Sequence, residues 1–210
     1  MESCPQSIVV VRGSGPGGVN PNFFYLTGLT EPAGALVLAA EGLRTGTGRD
    51  APGPRYVTGT TIHQALFLPG RDPLAESWGE GSSWTYEHTH AEAVSVDGVF
   101  RADELNGRLT AWLQETGRMA FVRAAEPSLA GEDRDAEFVD RIRSRFLGLA
   151  IDDATPVVAE MRACKDAFEI AALERAAGVT ATGFARLFGA LRPGTTEHAL
   201  EAELTLAYRR

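Results

Sequence analysis

Five short apolar runs constrain this chain most: Ser7 to Val11, Ala35 to Ala39, Ala65 to Leu68, Ala93 to Val96 and Met119 to Val122. Each is bounded by Gly, Pro or polar residues and is short enough to read as a strand. Helical patterns lie between and after the later runs. They cover roughly Pro73 to Trp78, Ala102 to Thr116 with Leu105, Leu109, Trp112 and Leu113 on one face, and Asp133 to Leu147 with Phe138, Ile142 and Phe146 at steps of four. Strands alternating with helices over the first three quarters of the chain predict an α/β sandwich over residues 1–156. The Gly-, Pro- and Thr-rich stretch from Glu41 to Thr61 reads as a long loop, with a short strand at Tyr56 to Thr58.

After the turn-like Ile151-Asp152-Asp153-Ala154-Thr155-Pro156 the pattern changes. Asp166 with Glu169 three residues on has the form of a helix N-cap, and Ile170, Leu173, Ala177, Ala181, Phe184, Phe188 and Leu191 then repeat at helical spacing. Arg192-Pro193-Gly194 stops that helix, and Thr195 is expected to cap a second one with the stripe Leu200, Leu204, Ala207 and Tyr208. Two amphipathic helices with no further strands cover each other only in part. A partner, a second copy of the chain or a further domain is therefore expected over Leu200, Leu204 and Tyr208.

Composition narrows the function. With 44% hydrophobic and 23% charged residues the chain is ordinary globular material, and a formal charge of −8 with scattered arginines excludes a nucleic-acid face. No apolar run approaches the roughly 18 residues of a membrane span, so a cytoplasmic location without membrane attachment is expected. Cys4 and Cys164 form no framework, and Lys165, the only lysine among 20 basic residues, reads as coding bias more readily than as a catalytic amine.

Gly13, Gly15 and Gly18 match G-x-G-x-x-G after the first strand. A dinucleotide site needs a helix of about a dozen residues directly after the last glycine, so that its N-terminus faces the pyrophosphate. Pro21, Gly28 and Pro32 interrupt that space, and Phe23, Phe24 and Tyr25 leave room for a turn or two of helix at most. Glu41, in the place of a ribose-binding acid, then reads as a strand-end carboxylate. The glycines read as a flexible crossing into the segment that follows.

That segment, Asn20 to Leu38 (NPNFFYLTGLTEPAGALVL), resembles the opening of the N-terminal domain of Xaa-Pro aminopeptidases (aminopeptidase P), in the creatinase and prolidase superfamily. Residues 65–81 look like the family's strand followed by R-D-x-x-x-E-x-W, carried by Arg71, Asp72, Glu76 and Trp78. Arg162, Lys165, Glu169 and Ile170 match its connection R-x-x-K-(S/T)-x-x-E-(I/L), and Pro193-Gly194 with Thr196-Glu197 resembles its turn into the next helix. The resemblance implies a mixed β-sheet flanked by helices, then, over 157–210, a linker and the first two helices of a truncated pita-bread domain. It implies a parent that releases the N-terminal residue from peptides with proline second, using two divalent metal ions of Mn or Zn type. The family's five ligands, two Asp, one His and two Glu, have no counterpart on this sequence, so the chain by itself is expected to be inactive. A prolidase- or creatinase-like hydrolase, or a stand-alone assembly module, stays open. The short glycine-rich segment before Asn20 and the 41–61 insertion depart from the family pattern, which bears on subunit contacts.

By the same resemblance Trp78 limits access to the active site of a neighbouring subunit; the plainer alternative is an aromatic packed on its own short helix. His88 and His90, with Glu87 or Glu92, could hold a metal on one strand face or form a polar strand edge. Asp152 and Asp153 read as turn formers between domains, Trp84 as a loop aromatic and His198 as exposed. Phe23, Phe24, Tyr25 and Leu26 offer a peptide-binding patch or, more simply, a plug for the end of the sheet.

Overall fold

The computed structural model describes residues 7–15, 18–45, 61–78, 81–82, 84–89, 94–125 and 133–209. They divide into two compact units, Met1–Glu160 and Met161–Arg210.

The first unit is built on β1 (Ile8–Arg12), β2 (Ser14–Gly15), β3 (Gly18–Val19), β4 (Ala35–Arg44), β5 (Thr61–Leu68), β6 (Gly98–Arg101), β7 (Arg118–Val122) and β8 (Ala150–Asp153). Six of these form one sheet in the order β6-β5-β4-β1-β7-β8, and β2 pairs with β3 separately. Only β4 runs against its neighbours in the sheet; the β1–β7, β7–β8 and β5–β6 pairs are parallel. The sheet is therefore mixed. Parallel neighbours need crossovers, and α1 (Pro21–Thr27), α2 (Pro73–Ser77), α3 (Leu105–Thr116), α4 (Arg134–Arg145) and α5 (Thr155–Ala163) lie between or beyond the strands.

Strand alternation fills a layer on each face. Ile8, Val10, Val37, Phe67, Met119 and Phe121 belong to one cluster with Leu109, Trp112 and Leu113 of α3 and Phe138 and Ile142 of α4. Their neighbours Val11, Leu36, Leu66, Leu68 and Val122 turn to the other, with Phe23 and Leu29, Tyr86 and Val158 of α5. Each such side chain, fully buried, supplies about 1.5–3 kcal/mol of transfer free energy before ordering costs.

Three local expectations change. Of the strand placed at Ala93 to Val96, Ala93 lies outside the described residues and Val94 to Val96 form no strand; the strand lies at Gly98–Arg101. Asp97 explains the shift: its Oδ2 accepts the backbone N–H groups of His63 (2.6 Å) and Gln64 (3.1 Å), so ladder pairing starts only at Ala65 opposite Gly98. Asp152 and Asp153 sit on β8 and not in a turn; Arg118 Nε donates to Asp152 Oδ2 at 2.8 Å, while Asp153 Oδ1 accepts from Thr155 N at 2.8 Å as α5 begins. β4 continues through Glu41–Arg44, passing an irregularity between Leu38 and Leu43 where Gly42 adopts φ 84°. Residues 46–60, with the strand expected at Tyr56 to Thr58, lie outside the described residues.

In the second unit α6 (Ala167–Ala190) starts on a reciprocal cap: Glu169 N donates to Asp166 Oδ1 (2.8 Å) and Asp166 N to Glu169 Oε2 (3.0 Å). The cap of α7 (Glu197–Tyr208) is Thr196, one residue later than expected, because the Thr195 hydroxyl is engaged in the preceding turn, accepting from Arg192 N at 3.0 Å. Gly183 lets the two helices approach: a Cβ there would sit 3.2 Å from Leu204 Cδ2 and 3.3 Å from Tyr208 Cε1. Leu200 and Leu204 are thus half-buried. The longer open stripe is on α6, where Ile170, Leu173, Phe184, Phe188 and Leu191 are exposed, and Tyr208 adds to it on α7. Among the described residues no helix is long and apolar enough to cross a membrane.

Candidate functional site

The segment after the glycines is a latch at the end of β1. Asn20, fully buried, caps α1 by accepting from Asn22 N (2.8 Å) and Phe23 N (3.4 Å), and its Nδ2 donates to Arg12 O at 2.7 Å. Asn22 Nδ2 donates across to Arg123 O at 2.7 Å, beyond β7. Gly28 ends the helix in the left-handed region (φ 71°), with its N–H on Phe24 O, and Thr27 Oγ1 accepts from Leu29 N at 3.1 Å. Glu31, a buried carboxylate, accepts from Ala33 N at 2.9 Å and from the Ser82 hydroxyl. Gly13 is here for close approach, not for flexibility: its N–H donates to Gly34 O at 2.7 Å, and a Cβ would collide with the Glu31 carbonyl. Asn20 already occupies the first amides of a seven-residue helix, so the glycines form a tight hairpin and no phosphate cradle. Phe23, Tyr25 and Leu26 pack into the second layer and Phe24 is half-exposed, which makes this cluster chiefly a plug.

The second assembly surrounds α2. Asp72 Oδ1 caps it, accepting from Leu74 N (3.0 Å) and Ala75 N (3.2 Å). The Arg71 guanidinium grips Glu76: Nε lies 2.9 and 2.8 Å from the two carboxylate oxygens and Nη2 2.8 Å from Oε2. That hydrogen bonding raises Arg71 above its ordinary pKa and holds Glu76 below the usual carboxylate range. Glu87 joins the group to the sheet, accepting from Arg71 N at 2.8 Å and from Arg101 Nη1 at 3.1 Å. Trp78 closes the helix and is 77% exposed, so it is not packed on its own helix. Leu74, also exposed, lies one turn before it.

Residues 19–122 match the family model described as aminopeptidase P, N-terminal domain. The chain belongs to the aminopeptidase P family. The Xaa-Pro aminopeptidase of Escherichia coli (strain K12) is 29% identical over 202 residues, which span 91% of this chain and 40% of that protein. The solved structure of E. coli aminopeptidase P with the inhibitor Pro-Leu is 28% identical, with a TM-score of 0.68 over 100% of this chain and 46% of that one. Pseudomonas aeruginosa aminopeptidase PepP shares the fold at 22% identity, with a TM-score of 0.69 over 99% of this chain and 46% of that one. The chain thus spans less than half the length of these relatives.

Along this aminopeptidase P family chain the other singled-out residues have local surroundings of their own. His88 lies in a turn, not on a strand, with Nδ1 3.0 Å from the Thr85 hydroxyl; His90 and Glu92 lie outside the described residues. Trp84 is a partly buried loop aromatic against the second layer, and His198 is almost fully exposed, 3.6 Å from Glu201. Lys165 Nζ donates to Arg162 O (2.6 Å) and Ala163 O (3.2 Å), closing the C-terminus of α5. Cys164 is a free, exposed thiol. Sequence reasoning missed Arg101, Glu31 and Ser82, and weighed Glu87 only as a metal ligand where it instead accepts from Arg71 and Arg101. Glu31 lies within the T-E-P of the family segment, but its partner is 51 residues away and carries no signal of its own.

Proposed function

We propose that this chain is the N-terminal part of an Xaa-Pro aminopeptidase whose parent releases the first residue of peptides with proline second. One observation carries the reading: the family-defining segment from Asn20 to Leu38 is wired into the fold residue by residue, in a chain that matches Xaa-Pro aminopeptidases along most of its length. Proline explains the need for a dedicated enzyme, since its ring removes the amide N–H and fixes φ, denying general peptidases their usual backbone contacts.

In this reading the domain shapes oligomer contacts and the mouth of the active site, with Trp78 as the substrate-access residue. Its exposure at the tip of a braced turn supports that role. Among the described residues no group of three or more His, Cys, Asp or Glu could hold the parent's pair of divalent ions. In this reading hydrolysis belongs to a pita-bread domain, of which 157–210 supply the linker and first two helices. The open face of α6 is where the rest of that domain, or a partner subunit, packs. A cytoplasmic setting completes the reading.

The purified chain, given Mn²⁺ and an Xaa-Pro-Yaa peptide, is expected to release no amino acid. Joined to a metallopeptidase domain of the family it should cleave Xaa-Pro-Yaa and spare Xaa-Ala-Yaa. Proline-specific turnover by the chain alone, or loss of proline discrimination in the joined protein, would overturn the assignment.

A further inference from the structure

A five-residue helix cannot hold itself in water, where even 12–15 residues are marginal. Yet α2 ends on a large indole displayed to solvent, so the conformation of the turn that carries it must be set by something other than packing of the ring.

The surroundings supply that restraint from both sides of Trp78. Before it, Arg71 holds Glu76 through both carboxylate oxygens. After it the chain folds back onto the same residue: a Cβ on Gly81 would lie 2.6 Å from Glu76 Cγ and 3.0 Å from its Cα. The Glu76 stem is thus clasped between a guanidinium and a returning backbone. One residue further on, Ser82 donates to buried Glu31 and accepts from Trp84 N at 3.1 Å, tying the returning strand to the latch beside β1. Arg71 is fastened in turn, since its N–H donates to Glu87, which also receives Arg101. The Arg101 guanidinium lies against Gly70, where any Cβ would come within 2.6 Å of Nη2.

We propose that Arg71 and Glu76 are positioning residues that hold the turn carrying the Trp78 indole in a single conformation, with Glu87 and Arg101 as their anchor on the sheet. The assignment of substrate access to Trp78 rests on the preceding reading; the clasp does not. An exposed ion pair ordinarily adds little to the stability of a whole fold. Its effect here is local: it selects one conformation of a short turn instead of stabilising the whole fold.

The test uses the full chain labelled with 5-fluorotryptophan, whose three tryptophans give three ¹⁹F resonances, the Trp78 signal being assigned with Trp78→Phe. Arg71→Met and Glu76→Gln should each move that signal toward the value of the free amino acid and narrow it, leaving Trp84 and Trp112 in place. The exchanged pair Arg71→Glu with Glu76→Arg should restore the original shift in large part. A Trp78 signal unchanged in both single variants overturns the proposal, as does equal movement of all three, which would mean general loosening. If Trp78→Ala in the joined peptidase leaves the dependence of KM on peptide length untouched, the access reading fails while the NMR result stands.

Discussion

The two units use apolar residues in opposite ways. In the first, a five-residue strand spends both faces: Ile8 and Val10 enter one buried layer and Val11 the other. In the second, a 24-residue helix meets α7 at Gly183 and leaves Ile170, Leu173, Phe184, Phe188 and Leu191 in the open. Apolar content does not separate the units; closure does. A sheet with a helical layer on each face completes its own core, whereas two helices have only one mutual face to bury. The same substitution should therefore have very different costs in the two.

The largest expected effect is in the closed unit. Phe67 is fully buried, 5.3 Å from the Phe100 ring and 6.1 Å from Trp112, so Phe67→Ala should cost about 3–5 kcal/mol in denaturant unfolding followed by near-UV circular dichroism. A loss below about 1 kcal/mol would mean that this layer is not packed as described and would erase the contrast. Next comes the latch. Asn20→Ala removes a helix cap and orphans the carbonyl of Arg12, together about 1.5–4 kcal/mol. Asn20→Ser keeps a capping oxygen, adds no charge at this fully buried position and loses the donor to Arg12, so it should fall between wild type and Ala; equal losses for both would assign the effect to the Arg12 contact alone.

What the sequence disclosed follows the same division. Strand alternation and helix periodicity depend on residues close together in the chain, so β1, α3, α4 and α6 were all legible from spacing. Asp166 and Glu169 announced their cap for the same reason. The misses turned on distant partners. Asp97 moves the start of β6 by reaching 34 residues back to His63, and Asp152 becomes a strand residue because β7 lies beside it. The glycine hairpin looked flexible because nothing local shows that the Glu31 carbonyl lies where a Cβ on Gly13 would be. Trp78 was singled out by family likeness, but Glu87 and Arg101, which anchor the turn before it, lie on segments 9 and 23 residues later whose spacing encodes no contact.

The smallest expected effect is the sharpest test of the contrast. Phe188, 65% exposed, touches Phe184 with ring centroids 6.1 Å apart, and the rest of its surface faces solvent. Phe188→Ser in this chain should therefore change unfolding free energy by no more than about 0.5 kcal/mol. With a metallopeptidase domain joined and packed on α6, the same change becomes a core truncation and should cost about 3 kcal/mol or more. A large loss in the chain alone would show that the face is already covered. A second copy would then be the cover if the midpoint of thermal unfolding rises with protein concentration, because association stabilises the folded state by mass action. A large loss that does not depend on concentration would instead mean that α6 closes within its own chain, and the two units would not differ in the way their exposed residues indicate.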